Sequence, residues 1–228
     1  MAARSYGQYC GITAAVELIS ERWALLIIRD LLVGPRRYTD LKQGLPKIPT
    51  NILAARLKEL QDGGVISRIP LPRCGLAYEL TPYGRELEPI LLALGRWGFR
   101  SLGEPGEGDV ITADSLTMAL RTAWRPECAV GTLDFEIEVG PVELRVTVND
   151  GELEIVQLAP ARPLVGGAPP TSEPQLRFAA GPELRELIAG TLTAAEAVNG
   201  GMIEILGGDV ELLERFSEYF RIDAGQHA

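Results

Sequence analysis

Histidine is almost missing. One residue in 228, His227, carries an imidazole, which removes histidine-based catalytic triads and multi-histidine metal sites from consideration. Cysteine is scarce too: Cys10, Cys74 and Cys128 are far apart and odd in number, supporting neither a disulfide framework nor a zinc site. No apolar run reaches the length of a membrane span, and Met-Ala-Ala-Arg leads into no signal-peptide core. The expectation is a cytoplasmic chain that has no membrane partner, metal or cofactor and is not an enzyme.

Positive charge is scarce overall, with a net of -9, which argues against nucleic acid as a partner because phosphate binding needs Lys and Arg. The average conceals an asymmetry. Residues 1–103 carry 14 Lys and Arg against 9 Asp and Glu, a net of +5, whereas residues 104–228 carry 8 against 22, a net of -14. The first part can meet phosphate; the second would be repelled by it. Two domains of α+β class follow: residues 1–102, a linker at 103–111 rich in Gly, Pro and Glu, and residues 112–228.

In the basic part, Tyr9, Ile12, Val16 and Ile19 recur at helical spacing. From Glu21 a second helix, Arg22 to Leu32, is apolar nearly all round and belongs at the centre of its domain. Gly34-Pro35 stops it, and Thr39 can cap a short helix carrying Leu41 and Leu45. A further helix runs from Thr50 to the Gly63-Gly64 stop. Its Leu53, Leu57 and Leu60 fix the buried face, leaving Asn51, Ala55, Lys58 and Asp62 opposite, with Ala54 on one flank. Small residues beside Asn and Lys suit a helix lying in the DNA major groove, with Thr50 and first-turn amides on phosphate. A merely solvated amphipathic helix would show the same pattern.

The downstream order favours DNA. Val65 to Ile69 and Ala77 to Leu80 read as a hairpin around Pro70–Gly75, with Arg68 on a strand and Arg73 at the tip. A helix-turn-helix followed by a basic hairpin is a winged helix. Arg36, Arg37, Thr50, Asn51, Ala55, Lys58, Arg68 and Arg73 are the candidate contacts to double-stranded DNA. Thr81-Pro82 then opens a long helix with Leu87, Ile90, Leu91, Leu94 and Trp97 on one stripe. That stripe exceeds what a small domain needs for its core and marks, with Ile12 and Val16, a homodimer interface.

These residues resemble the HxlR-type winged-helix regulators, relatives of the MarR group, over about residues 9–101. The resemblance is carried by Cys10, Arg22-Trp23, the block Gly34 to Leu41, Leu57-Lys58-Glu59-Leu60 ending in Gly63-Gly64-Val65-Ile66, Pro70 and Pro72, and Tyr78-Glu79-Leu80-Thr81 before Gly84. It implies a homodimer on a pseudo-palindromic operator, paired through its first and last helices. It also implies that a cysteine at the position of Cys10 can sense oxidants or electrophiles. Near a helix N-terminus and Arg4, the Cys10 thiol would have a lowered pKa; the other reading is a small packing residue at a dimer seam.

The acidic part opens with Asp114 as a candidate helix cap. Three alternating runs follow: Leu133, Phe135, Ile137 and Val139; Val142, Leu144, Val146 and Val148; and, after the Asn149-Asp150-Gly151 turn, Leu153 and Ile155. They predict an antiparallel-rich sheet with one dry face and one wet, acidic face. Strands at Leu176 to Ala180 and Met202 to Leu206 and three later helices, the last opened by Asp209, complete a five-stranded sheet covered by helices. Residues 112–222 resemble the sterol carrier protein type-two fold, through Gly190-Thr191, Ala195 to Gly201 and Met202 to Asp209. Similar domains enclose an apolar cavity, so the resemblance implies a small hydrophobic ligand. Trp124, Phe135, Ile137, Leu144, Val146, Ile155, Phe216 and Phe220 are the candidate lining residues, each of which would equally serve as plain core.

Three functions remain in view. The first is a DNA-binding transcriptional regulator controlled by a hydrophobic effector in the C-terminal domain. The second is a regulator sensing through Cys10. The third is a lipid carrier whose N-terminal domain binds a protein, against which the basic winged-helix order speaks.

Overall fold

The computed structural model describes residues 5–71, 75–159 and 172–223. Its contacts divide the chain into two compact units, Met1–Leu91 and Leu92–Ala228. None of the helices among the described residues is long and apolar enough to cross a membrane.

The first unit contains α1 (Gly11–Ile19), α2 (Ala24–Val33), α3 (Tyr38–Gly44), α4 (Thr50–Asp62), β1 (Ile66–Pro70), β2 (Leu76–Leu80), α5 (Pro82–Arg85) and the start of α6 (Glu88–Phe99). Ile27, Ile28 and Leu31 of α2 are fully buried, as expected for a helix apolar on most of its circumference. Leu41 of α3 and Leu53, Leu57 and Leu60 of α4 are also buried in this unit. β1 and β2 pair antiparallel, Ile66 opposite Leu80 and Arg68 opposite Tyr78.

Local chemistry sets three boundaries differently from the sequence pattern. The second helix starts at Ala24, not at Arg22, because Trp23 takes a left-handed backbone with φ 82°. Thr39 is inside α3 rather than its cap; the Arg37 amide donates to Asp40 Oδ2 at 2.8 Å, which fixes the first turn. Thr81 does cap the next helix, its Oγ1 accepting from the Gly84 amide at 3.0 Å, but that helix is broken. The amides of Glu86 and Leu87 bond three residues back, to Tyr83 and Gly84, a tightened turn that separates α5 from α6. Gly84 is needed there because a Cβ would overlap the Val65 carbonyl oxygen.

The second unit holds the rest of α6, then α7 (Ala113–Ala123), β3 (Thr132–Val139), β4 (Val142–Asn149), β5 (Glu152–Ala159), β6 (Leu176–Ala180), α8 (Leu184–Ala189), α9 (Ala194–Asn199), β7 (Ile203–Gly208) and α10 (Leu212–Tyr219). The sheet order is β5-β4-β3-β6-β7, parallel only between β3 and β6. Asp150 and Gly151 both have positive φ, 45° and 87°, the backbone of a tight two-residue hairpin turn. The cap of α7 is Thr112, which exchanges hydrogen bonds with Ser115, so Asp114 falls in the first turn instead. Asp209 likewise precedes α10, its Oδ1 accepting from the Glu211 amide at 2.9 Å.

The even positions of the β3 pattern form the other sheet face, which is neither bare nor fully wet. Arg145 is buried there, its Nε 2.6 Å from Asp134 Oδ1 and its Nη1 2.7 Å from Glu136 Oε1. Arg177 pairs with Glu138 on the next strand. Cross-strand pairing thus satisfies part of the acid that the alternation suggested would face water. The proposed boundary at residue 102 lies beyond α6, whereas contacts change within it. The reason is local: Gly95 packs against Thr122 of α7, and Arg96 Nε donates to the Thr122 carbonyl at 3.0 Å.

Candidate nucleic-acid interface

Burial of Leu53, Leu57 and Leu60 turns the opposite side of α4 outward. Asn51, Ala54, Lys58 and Asp62 are exposed, and Ala55 is half-buried between them. Thr50, the first residue of α4, is exposed; its carbonyl accepts the Tyr38 hydroxyl at 2.8 Å, tying α3 to the head of α4. Lys58 Nζ lies 2.6 Å from Asp62 Oδ2. An exposed pair of this kind contributes at most about 1 kcal/mol, so it leaves the ammonium available to a stronger anion.

Of the other predicted cations, Arg37 and Arg68 are exposed. Arg68 Nη2 donates to the Tyr78 hydroxyl at 3.0 Å, and its guanidinium lies 5.2 Å from the centre of that ring. This holds the charge against the hairpin. Arg36 is different and is withdrawn from the DNA-facing set: it is 5% exposed. Its amide and carbonyl pair with Tyr78 as a short extension of the hairpin, and its Nη1 donates to the Pro35 carbonyl at 2.9 Å. Arg73 and Cys74 lie outside the described residues. Sequence reasoning passed over Arg22, Lys47 and Arg56, which line a depression of about 330 Å³ with Glu21, Trp23, Pro49 and Ile52. Lys47, placed in the turn between α3 and α4, was the available signal.

The α6 stripe is split. Ile90, Leu94 and Trp97 are exposed, Trp97 by 69%, but Leu91 is buried within its own chain and Leu87 is half-buried. On α1, Ile12 is exposed and Val16 half-buried. Leu91 is therefore removed from the interface candidates, since its apolar surface is already covered.

Cys10 is exposed immediately before α1. The first-turn amides of Thr13 and then Ile12 favour its thiolate and hold its pKa below the usual thiol value. Arg4 lies outside the described residues.

The proposed ligand-lining residues of the second unit divide by burial. Phe135, Ile137, Leu144, Val146, Phe216 and Phe220 are fully buried, whereas Trp124 and Ile155 are half-buried at the edge of the same cluster. Ring centroids lie 5.2 Å apart for Phe135 and Phe216, 4.9 Å for Phe216 and Phe220, and 5.8 Å for Phe135 and Phe220. These are direct aromatic contacts.

The family model for HxlR-like helix-turn-helix proteins matches residues 18–105. Over 94 residues the chain is 36% identical to the HTH-type transcriptional regulator sll1512 of Synechocystis sp., covering 40% of this chain and 70% of that one. It is 39% identical over 85 residues to the regulator YvaP of Bacillus subtilis, covering 36% and 79% respectively. A crystal structure of the HTH-type transcriptional regulator ytcD aligns with 37% identity and a TM-score of 0.37, over 39% of this chain and 93% of that one. Through its N-terminal part, the chain belongs to the HxlR-like helix-turn-helix family of DNA-binding transcriptional regulators.

Proposed function

We propose that the protein works as a homodimer on a pseudo-palindromic operator, reading bases with Asn51 and Ala55 and holding phosphate with Arg37, Thr50, Lys58, Arg68 and Arg73. The observation that carries this reading is the exposed small-and-polar face of α4 opposite its three buried leucines. Asn in that position can contact adenine through two hydrogen bonds, and neighbouring alanines let the helix approach closely. The exposed Ile90, Leu94 and Trp97 on one stripe of α6, with Ile12 exposed on α1, support the dimer, because exposed apolar side chains gain most by meeting a second copy.

For control, the geometry favours Cys10. An exposed thiol with a lowered pKa is in its reactive thiolate form over a wider part of the neutral range. Control by a hydrophobic effector draws on the five-stranded, helix-covered sheet of the second unit and on its resemblance to the sterol carrier protein type-two fold. It would require Phe135, Phe216 and Phe220 to part, with loss of their mutual contacts.

Selection of bound sequences from a random duplex library, followed by titration with oxidant, tests the whole reading. Asn51→Ala should relax base preference; equal loss on selected and random DNA would show that α4 does not read bases. Cys10→Ser should keep DNA affinity and lose the oxidant response, and a preserved response rejects thiol control. Stabilisation by a long-chain fatty acid with the Phe135→Ala variant showing an altered response would restore the effector reading.

A further inference from the structure

The depression lined by Glu21, Arg22, Trp23, Lys47, Pro49, Ile52 and Arg56 has no part in the contacts assigned so far. Ile52 and Arg56 are one turn apart on α4, on the flank next to the face bearing Asn51, Ala55 and Lys58. A helix seated in a major groove about 12 Å wide has a phosphate strand along each side, so the flanks of α4 must meet backbone when its face meets bases.

We propose that Arg22 and Lys47 close on this depression to hold a phosphodiester of the DNA backbone, fixing how far α4 enters the groove. The inference rests on the orientation of α4 proposed above. Arg22 and Lys47 are both exposed, one just before α2 and the other in the turn before α4. The Arg22 guanidinium sits 5.1 Å from the centre of the Trp23 ring, a contact that restrains the long side chain without neutralising its charge. Arg56 has another task. Its Nη1 pairs with Glu59 and its Nη2 lies 3.5 Å from Glu21 Oε2, so it holds the wall and balances the carboxylate that would otherwise repel phosphate. Trp23, Pro49 and Ile52 make the floor largely apolar, which strengthens charge attraction above it. A volume of about 330 Å³ is large enough for a phosphate with its attached sugar.

The test is the salt dependence of binding to a random-sequence duplex. Lys47→Ala and Arg22→Ala should each reduce the log–log salt slope by about 0.9 and weaken binding alike on random and selected DNA. Lys47→Arg and Arg22→Lys should retain the slope, and far-UV circular dichroism of all four variants checks that they are folded. Unchanged slopes in both alanine variants overturn the site. Asn51→Ala, measured in parallel, reports separately on α4: a lost slope at Lys47 with no change of base preference at Asn51 would keep the phosphate site and discard the base-reading face.

Discussion

Phe216 on α10 and Trp97 on α6 are large aromatic residues on amphipathic helices, yet the first is fully buried and the second 69% exposed. Phe216 has a sheet to pack on: Phe135 of β3 and Phe178 of β6 place their rings 5.2 Å and 5.5 Å from it. Trp97, with Ile90 and Leu94, has no such covering among the described residues. An apolar stripe on a helix therefore states that something must cover it, and does not state whether the cover is in the same chain. For α10 the answer is internal. For α6 we propose that a second copy covers the remainder.

Loss of a ring from the aromatic interior has the largest expected effect. Phe135→Ala should cost about 3–5 kcal/mol, read as a fall in the urea midpoint of the C-terminal unit. A loss below about 1 kcal/mol would mean that the interior collapses easily or already has room for a ligand. Trp97→Ala should do the opposite, leaving the stability of the isolated chain within about 0.5 kcal/mol while weakening self-association by at least about 2 kcal/mol. Sedimentation velocity over a concentration series separates the two; a dimer of unchanged affinity would remove Trp97 from the interface.

Smaller effects are expected at the helix cap and the exposed ion pair. Thr81→Ala removes the hydroxyl that accepts from the Gly84 amide and also donates to the Gly64 carbonyl at 2.7 Å. It should cost about 1 kcal/mol, measured by thermal or urea unfolding, and a neutral result would show that water replaces the cap. Lys58→Ala should change stability by less than about 0.5 kcal/mol, since its pair with Asp62 is exposed. It should nevertheless lower the salt slope of DNA binding by about 0.9. A stability effect larger than its DNA effect would place Lys58 in the fold rather than at the interface.

Much of this fold was legible because it follows a period. The alternation Leu133, Phe135, Ile137, Val139 gives a strand with one face buried throughout, and Asp150-Gly151 supplies the positive φ values its hairpin turn needs. Leu53, Leu57 and Leu60 orient α4 with the same certainty, since 100° per residue leaves only one way to bury all three. Caps were less legible, because several residue types can serve as caps within a few positions. Thr112 rather than Asp114 caps α7, and the side chain of Asp40 rather than that of Thr39 holds the start of α3.

The candidate DNA interface was readable where it depends on one helix and obscure where it depends on neighbours. Arg36 and Arg37 are adjacent cations in the sequence. Pairing of Arg36 with the Tyr78 backbone draws one into the protein and leaves the other at the surface. Arg22, Lys47 and Arg56 are spread over 35 positions and share a depression only because α2, the α3–α4 turn and α4 meet. Linear spacing carries no sign of that meeting.

The charge division between the two halves, the order of helices and strands in the winged helix, and the apolar face of α4 all follow from the order of residues alone. Each is a property of composition or of a single element's period. Tertiary structure decided that Phe135, Phe216 and Phe220 fill their own interior, that Leu91 is covered while Trp97 is not, and that Arg36 is buried beside an exposed Arg37. Those outcomes depend on which surfaces from distant parts of the chain pack against one another, and burial free energy is a property of the pair in contact rather than of either segment alone.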